Sequence, residues 1–266
     1  MNGIIFSVKR YSINDGPGIR VTFFLKGCPM LCSWCHNPEG ISTDVEAIGR
    51  TDRIGDMIFH RTEMAGKSYS VKDIIDILNR ERPFIKESNG GVTFSGGEPL
   101  MQTGFLLEAL KACKENDLHT AVDTSGYSSS YNFRSVIPYT DLFLYDIKHL
   151  DDAKHIMYTG VSNKEILKNF TLALDSEVDL MVRIPVIPGF NDDWEHLTRL
   201  KEFLISKRTN ALKKINLLPF HKTGAAKYKR LNIPNRMVNT DLPDAGRMME
   251  LKAYFSGTGI SVKIGG

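Results

Sequence analysis

Short β-rich runs alternate with amphipathic stretches along most of the chain, and no other feature narrows its fold so far. Arg20–Leu25 (RVTFFL) reads as a strand. Gly91–Phe94, Thr120–Asp123, Leu142–Ile147, Leu180–Val186 and Lys214–Leu218 read as five more, and Ser261–Ile264 as a last one. Between them Val71, Ile74, Ile75 and Leu78 recur with helical spacing, as do Leu106, Ala109, Leu110 and Cys113. Leu167, Phe170 and Leu174 form a third stripe, Leu197, Leu200 and Leu204 a fourth, and Met248, Leu251 and Phe255 a C-terminal one. Such alternation implies a parallel sheet with helices outside it. Six repeats close most of a barrel, so the expected class is α/β, a partial (β/α)6 TIM-like barrel. Chemistry in such barrels sits at the C-terminal ends of the strands.

With 266 residues, 42% hydrophobic and 24% charged, the chain needs no disulfide to hold a core. One domain over residues 1–266 is expected. Its weakest part is the cysteine-free stretch at about 40–69, which is polar, poorly periodic and long for a connection. It reads as an excursion over the barrel mouth or as a loop. A net charge of +3 is too small to argue for nucleic acid. Lys222, Lys227, Lys229 and Arg230 read as a solvated surface loop. No apolar run approaches the roughly 20 residues of a membrane span, and Met1–Arg10 lacks the apolar region of a signal peptide. A soluble, cytoplasmic monomer is expected.

Three of the four cysteines fall within residues 27–39, GCPMLCSWCHNPE, directly after the first strand. Clustering of this kind in a cytoplasmic chain points to metal or redox chemistry. Four thiolates normally hold a [4Fe–4S] cube. Cys28, Cys32 and Cys35 supply three, leaving one iron open, as catalytic metal sites require. Structural zinc, with His36 as fourth ligand, is the competing reading. It asks adjacent Cys35 and His36 to reach one ion. Cys113, on an apolar helical stripe, reads as core.

Further candidates follow in chain order at strand ends. Gly96, Gly97 and Glu98 form a turn after GVTF, where two glycines let backbone approach a ligand closely. Asp123 and Thr124 end AVDT, Asp146 and Lys148 end LFLYDIK, Arg183 lies in MVRIPVIPG, and His221 follows NLLPF. Lys148 and Arg183 suit either a carboxylate ligand or the neighbouring acids. Asp123 and Asp146 suit either a monovalent cation or Lys148.

The C-x3-C-x2-C run, with Trp34 before its last cysteine, resembles the radical S-adenosylmethionine (SAM) superfamily. The resemblance implies one [4Fe–4S] cluster with SAM on its open iron, and Cys28, Cys32, Cys35 and Lys148 as catalytic residues. It also implies that the GGE turn takes the methionine amino group. Trp34, His36, Asp123, Thr124, Asp146, Arg183 and His221 complete the implied cofactor-binding set. Reducing a sulfonium needs a low-potential flavodoxin- or ferredoxin-like donor. DGPGIR at residues 15–20, CHNPE, GGVTFSGGEPL, DTSG, DIK, IPVIPGFND and LLPFH together resemble the glycyl radical enzyme activating enzymes. Pyruvate formate-lyase activating enzyme is the best-known member. That family takes a hydrogen atom from a glycine Cα of a partner enzyme, and Asp15 matches the aspartate that helps hold the partner loop. Many relatives carry further cysteine motifs after CHNPE, in a ferredoxin-like insert, whereas this chain has none there. Auxiliary clusters are therefore not expected. A radical SAM enzyme acting on a small molecule is the main alternative.

Overall fold

The computed structural model describes residues 1–266, apart from the side chains of Arg50, Thr51, Asp52 and Ile54. Strand β1 (Asn2–Ser12) pairs antiparallel with β2 (Arg20–Leu25). Next come β3 (Glu46–Ile54) and β4 (Met57–Ala65), a hairpin that forms its own two-stranded sheet. The chain returns through β5 (Lys67–Ser70), antiparallel to β1, into α1 (Val71–Glu87). Then β6 (Gly91–Gly96), α2 (Thr103–Glu115), β7 (Thr120–Thr124), α3 (Ser130–Val136), β8 (Leu142–Asp146), α4 (Asp152–Thr159) and α5 (Lys164–Asp175) follow. The last elements are β9 (Asp179–Val186), α6 (Trp194–Ser206), β10 (Leu212–Pro219), α7 (Ala225–Arg230), α8 (Ala245–Ser256) and β11 (Ser261–Ile264). The main sheet runs β11-β10-β9-β8-β7-β6-β2-β1-β5, with β2 and β6 to β11 all parallel. Its outermost strands do not meet, so the six β/α units form the expected open, partial barrel.

Helix starts follow side-chain capping. Ser70 and Asp73 form a reciprocal capping box at α1. Asp151, Asp193 and Asp244 cap α4, α6 and α8. The expected apolar stripes face inward: Ile74 and Leu78, Leu106 and Cys113, Leu197, Leu200 and Leu204, and Met248, Leu251 and Phe255 are buried.

Strand alternation divides each parallel strand between two interiors. Val21, Phe23, Val92, Phe94, Val122, Phe143, Val182 and Ile184 point out to the helices and join the main core. Facing the other way, Ala121, Leu142 and Leu144 make a small apolar layer with Met181 against it. Two residues further along β7, β8 and β9, on that same inward face, stand Asp123, Asp146 and Arg183. Asp146 lies directly across from Arg183 in the strand register.

The 40–69 stretch is not a loop. The side chains of β4 are exposed up to Thr62, so no buried face gives that strand a readable period. Its root is anchored by Lys26, fully buried at the end of β2, whose Nζ donates to Glu46 Oε2 and to the Glu39 carbonyl, each at 2.9 Å. No helix among the described residues is long and apolar enough to cross a membrane.

Candidate active site

The C-terminal ends of the parallel strands surround one cavity of about 570 Å³, within the range that encloses a drug-sized ligand. Cys28, Cys32 and Cys35 line it, with Trp34 and His36 beside them. Gly96 and Gly97, Asp123, Asp146, Lys148, Arg183, His221 and Asp15 line it too. Two expected residues do not. Glu98 is fully buried behind the wall, accepting hydrogen bonds from Thr124 Oγ1 (2.6 Å), Ser125 Oγ (2.6 Å), Ser125 N (2.9 Å) and Leu100 N (3.2 Å). Burial pushes its carboxyl up against the pull of those donors. Glu98 and Thr124 thus brace the GGE turn against the end of β7.

The turn itself requires glycine. Gly96 has φ of +124°, and a Cβ there would lie 2.3 Å from the Leu25 backbone. A Cβ on Gly97 would lie 2.3 Å from the Gly27 carbonyl oxygen. The amides of Gly97 and Glu98 donate to the carbonyls of Leu25 and Gly27 at 2.9 and 2.8 Å. This packs the turn onto the loop that carries the cysteines.

The charged layer is a coupled set. Lys148 Nζ is 2.7 Å from Asp146 Oδ2, and Arg183 Nη1 is 2.8 Å from Asp123 Oδ2, with Nε 3.5 Å from Asp146 Oδ1. Ser95 Oγ donates to Asp123 Oδ2 at 2.7 Å. Burial alone would lower the Lys148 ammonium, but Asp146 holds it above the ordinary lysine value. Burial works against the Asp146 anion, yet Lys148 and Arg183 keep its carboxyl below the usual range. Asp146 pairs with Lys148, and Arg183 stands between the two aspartates.

Asp15 accepts from Thr22 Oγ1 through its carboxylate at 2.8 Å and from Thr93 Oγ1 through its carbonyl at 2.7 Å. The rings of His36 and His221 stack at 3.7 Å. Trp34 packs on Phe190 with centroids 4.7 Å apart. Cys113 is buried in α2, as read from its stripe.

Residues outside the expected site hold the cysteine loop. Lys227 Nζ reaches Asn37 Oδ1 at 2.7 Å and Glu39 Oε1 at 2.6 Å, so this lysine is a clasp rather than part of a solvated loop. Lys26 and Ser95 were equally silent, because nothing in a single sequence tells a buried pairing residue from a surface one.

The residues fit a cluster with SAM. Burial pushes the Cys28 and Cys32 thiols up to about 12 and raises that of Cys35, so thiolates there need a metal to stabilise them. Among the described residues no three His, Cys, Asp or Glu side chains converge as a single-ion site, whereas a cube spreads its thiolates over separate irons. Asp146 Oδ1 and Arg183 Nε and Nη1 are buried and face only each other and Asp123, in the ion pairs at 3.5 and 2.8 Å. Lys148, Arg183, Asp123 and Asp146 all line the cavity, and a wall that carries both cations and carboxylates suits a polar, zwitterionic ligand.

Comparison with known proteins agrees. Residues 22–200 match the model of the radical SAM superfamily, and the chain belongs to it. Within that superfamily it is an activating enzyme of the glycyl radical enzyme group. It is 34% identical to a trans-4-hydroxy-L-proline dehydratase activating enzyme from Clostridioides difficile, over the whole of both chains. It is also 34% identical to a pyruvate formate-lyase-activating enzyme from Clostridium pasteurianum, over 95% of this chain and 96% of that one. A solved domain of such an enzyme from Bacteroides vulgatus superposes with a TM-score of 0.56 at 31% identity, covering 66% of this chain and 99% of that one.

Proposed function

We propose that this enzyme removes one hydrogen atom from a glycine Cα of a partner glycyl radical enzyme, in the manner of the pyruvate formate-lyase activators. When bound, a [4Fe–4S] cluster and SAM supply the chemistry, reductive cleavage to methionine and a 5′-deoxyadenosyl radical. Cys28, Cys32 and Cys35 hold the cluster. The charged layer on the wall of the cysteine-lined cavity carries the reading, since Lys148 and Arg183 with Asp123 and Asp146 offer cations and anions to one ligand beside the three thiols. Lys148 and Arg183 face the SAM carboxylate. With the Gly97 and Glu98 amides engaged elsewhere, the GGE turn offers carbonyl oxygens, the acceptors an ammonium needs. Asp15, fixed by Thr22 and Thr93, lies at the cavity rim and holds the backbone of the inserted loop. His221 and its stacked neighbour His36 flank the adenosine. A low-potential flavodoxin- or ferredoxin-like protein supplies the electron, in the cytoplasm of an anaerobic cell.

The test uses a candidate partner labelled with α-deuterated glycine. The expected result is deuterium in the 5′-deoxyadenosine and a glycyl signal in the partner's electron paramagnetic resonance spectrum. If every candidate partner is left without a glycyl signal, while SAM is cleaved and a small molecule takes the label, the protein-substrate reading fails.

A further inference from the structure

Residues 203–240 contain no aspartate or glutamate. The part that follows β10, residues 222–240, carries Lys222, Lys227, Lys229, Arg230 and Arg236. These residues form a lobe around α7 that lies on the back of the cysteine loop. A Cβ on Gly224 would sit 3.2 Å from His36 Cα and 3.3 Å from the Cys35 carbonyl oxygen. Tyr228 and Met237 are buried beneath the lobe, and Met237 packs in the cluster of Trp34, Phe190 and Phe220. Burial pushes the Tyr228 phenol up, and its side chain lines a cleft together with Cys35 and His36.

The outer face has a definite chemistry. Lys227 is committed to Asn37 and Glu39, and Lys222 Nζ donates to the Val238 carbonyl at 2.9 Å. Lys229, Arg230 and Arg236 are exposed and make no ion pair among the described residues. Beside them Ile233 and Val238 are 39% and 59% exposed. Apolar side chains set among unpaired cations describe an interface whose partner carries an apolar centre and an acidic rim.

We propose that this lobe is the docking surface for the electron donor, and that the donor is a flavodoxin. The inference rests on the activase reading above. A flavodoxin presents the apolar dimethylbenzene edge of its flavin within an acidic surface, which complements Ile233 and Val238 among the three cations. Docked there, the flavin faces the cysteine loop across a single layer of protein. One electron passes from flavin hydroquinone to the oxidised cluster. The flavin becomes the semiquinone, and the cluster is reduced by the one electron that SAM cleavage consumes.

The test compares wild type with a K229E/R230E/R236E variant, each carrying its cluster. A control, K86E/K164E/K168E, changes net charge equally on α1 and α5. Flavodoxin affinity is measured by calorimetry at low and high salt, and cluster reduction by stopped-flow absorbance. Affinity and reduction rate are expected to fall at least tenfold in the lobe variant and in high salt. The control is expected to stay near wild type, and dithionite is expected to reduce all three proteins alike. That last arm separates lost docking from a damaged site, and failure of dithionite-driven SAM cleavage in wild type would strike the activase reading instead. Equal flavodoxin binding by wild type and lobe variant overturns the docking surface. Lobe-dependent binding of a ferredoxin alone overturns the choice of flavodoxin.

Discussion

Arg183 is the residue on which the charged layer turns. It faces Asp123 and Asp146 at 2.8 and 3.5 Å. Arg183→Ala would leave the largely buried Asp123 without a cation and Asp146 with Lys148 alone. Removing one partner of a buried pair costs about 3–5 kcal/mol, so urea unfolding of the metal-free variant should show a loss of that order. Arg183→Lys should recover only part, because a point charge cannot span both acids as a planar fork does. A loss below about 1 kcal/mol for Arg183→Ala would mean the acids find other partners. Glu98 makes a second case. Glu98→Gln keeps the shape but turns an acceptor into a donor facing Ser125 or Thr124. It should cost about 1–3 kcal/mol and weaken SAM binding indirectly, through the GGE turn. Tight SAM binding in a stable Glu98→Gln protein would leave the bracing role without support.

Elements differ in how far the sequence disclosed them. Strands such as LFLYD (Leu142–Asp146) are buried on both faces, so they read as continuous apolar runs. Helices α1, α2, α6 and α8 carry full stripes. By contrast α3, α4 and α7 have six to eight residues, too few turns to establish a period. Along β4 the side chains from Met57 to Thr62 are all exposed, so that strand shows no alternation. Among site residues, those at strand ends were legible because charge is conspicuous there. The clasp of Lys227 was not, since it joins residues 190 apart. Lys227→Ala should speed iron loss to a chelator several-fold, with Lys227→Arg closer to wild type. Unchanged iron release in both would reduce the clasp to a surface contact.

The α6 helix also sets a pH dependence. His196 stacks on His149 at 3.9 Å, and both are buried. Burial lowers His149 to about 4 and His196 to about 3, with Lys154 lowering both, Arg199 lowering His196, and Asp151 and Asp193 opposing. Below pH 6.5 the unfolded chain takes up protons that the folded imidazoles refuse. Stability should therefore fall as pH drops from about 6.5 toward about 4. In the metal-free protein His196→Phe should flatten that slope, and an equally steep slope would place its origin elsewhere.

At the scale of the whole molecule, a polar interior opens at one mouth while the apolar core lies outside the strands. The alignment with the hydroxyproline dehydratase activator runs to 303 positions, against 266 residues here. That with the pyruvate formate-lyase activator runs to 253. The most direct measurement is 5′-deoxyadenosine, quantified after anaerobic cluster reconstitution, dithionite reduction and addition of SAM and a candidate partner. Wild type is run beside a variant with Cys28, Cys32 and Cys35 all changed to alanine. Product from wild type alone is the expected result. No product from wild type with a full iron complement, or equal product from both, would contradict a radical SAM site on these three cysteines.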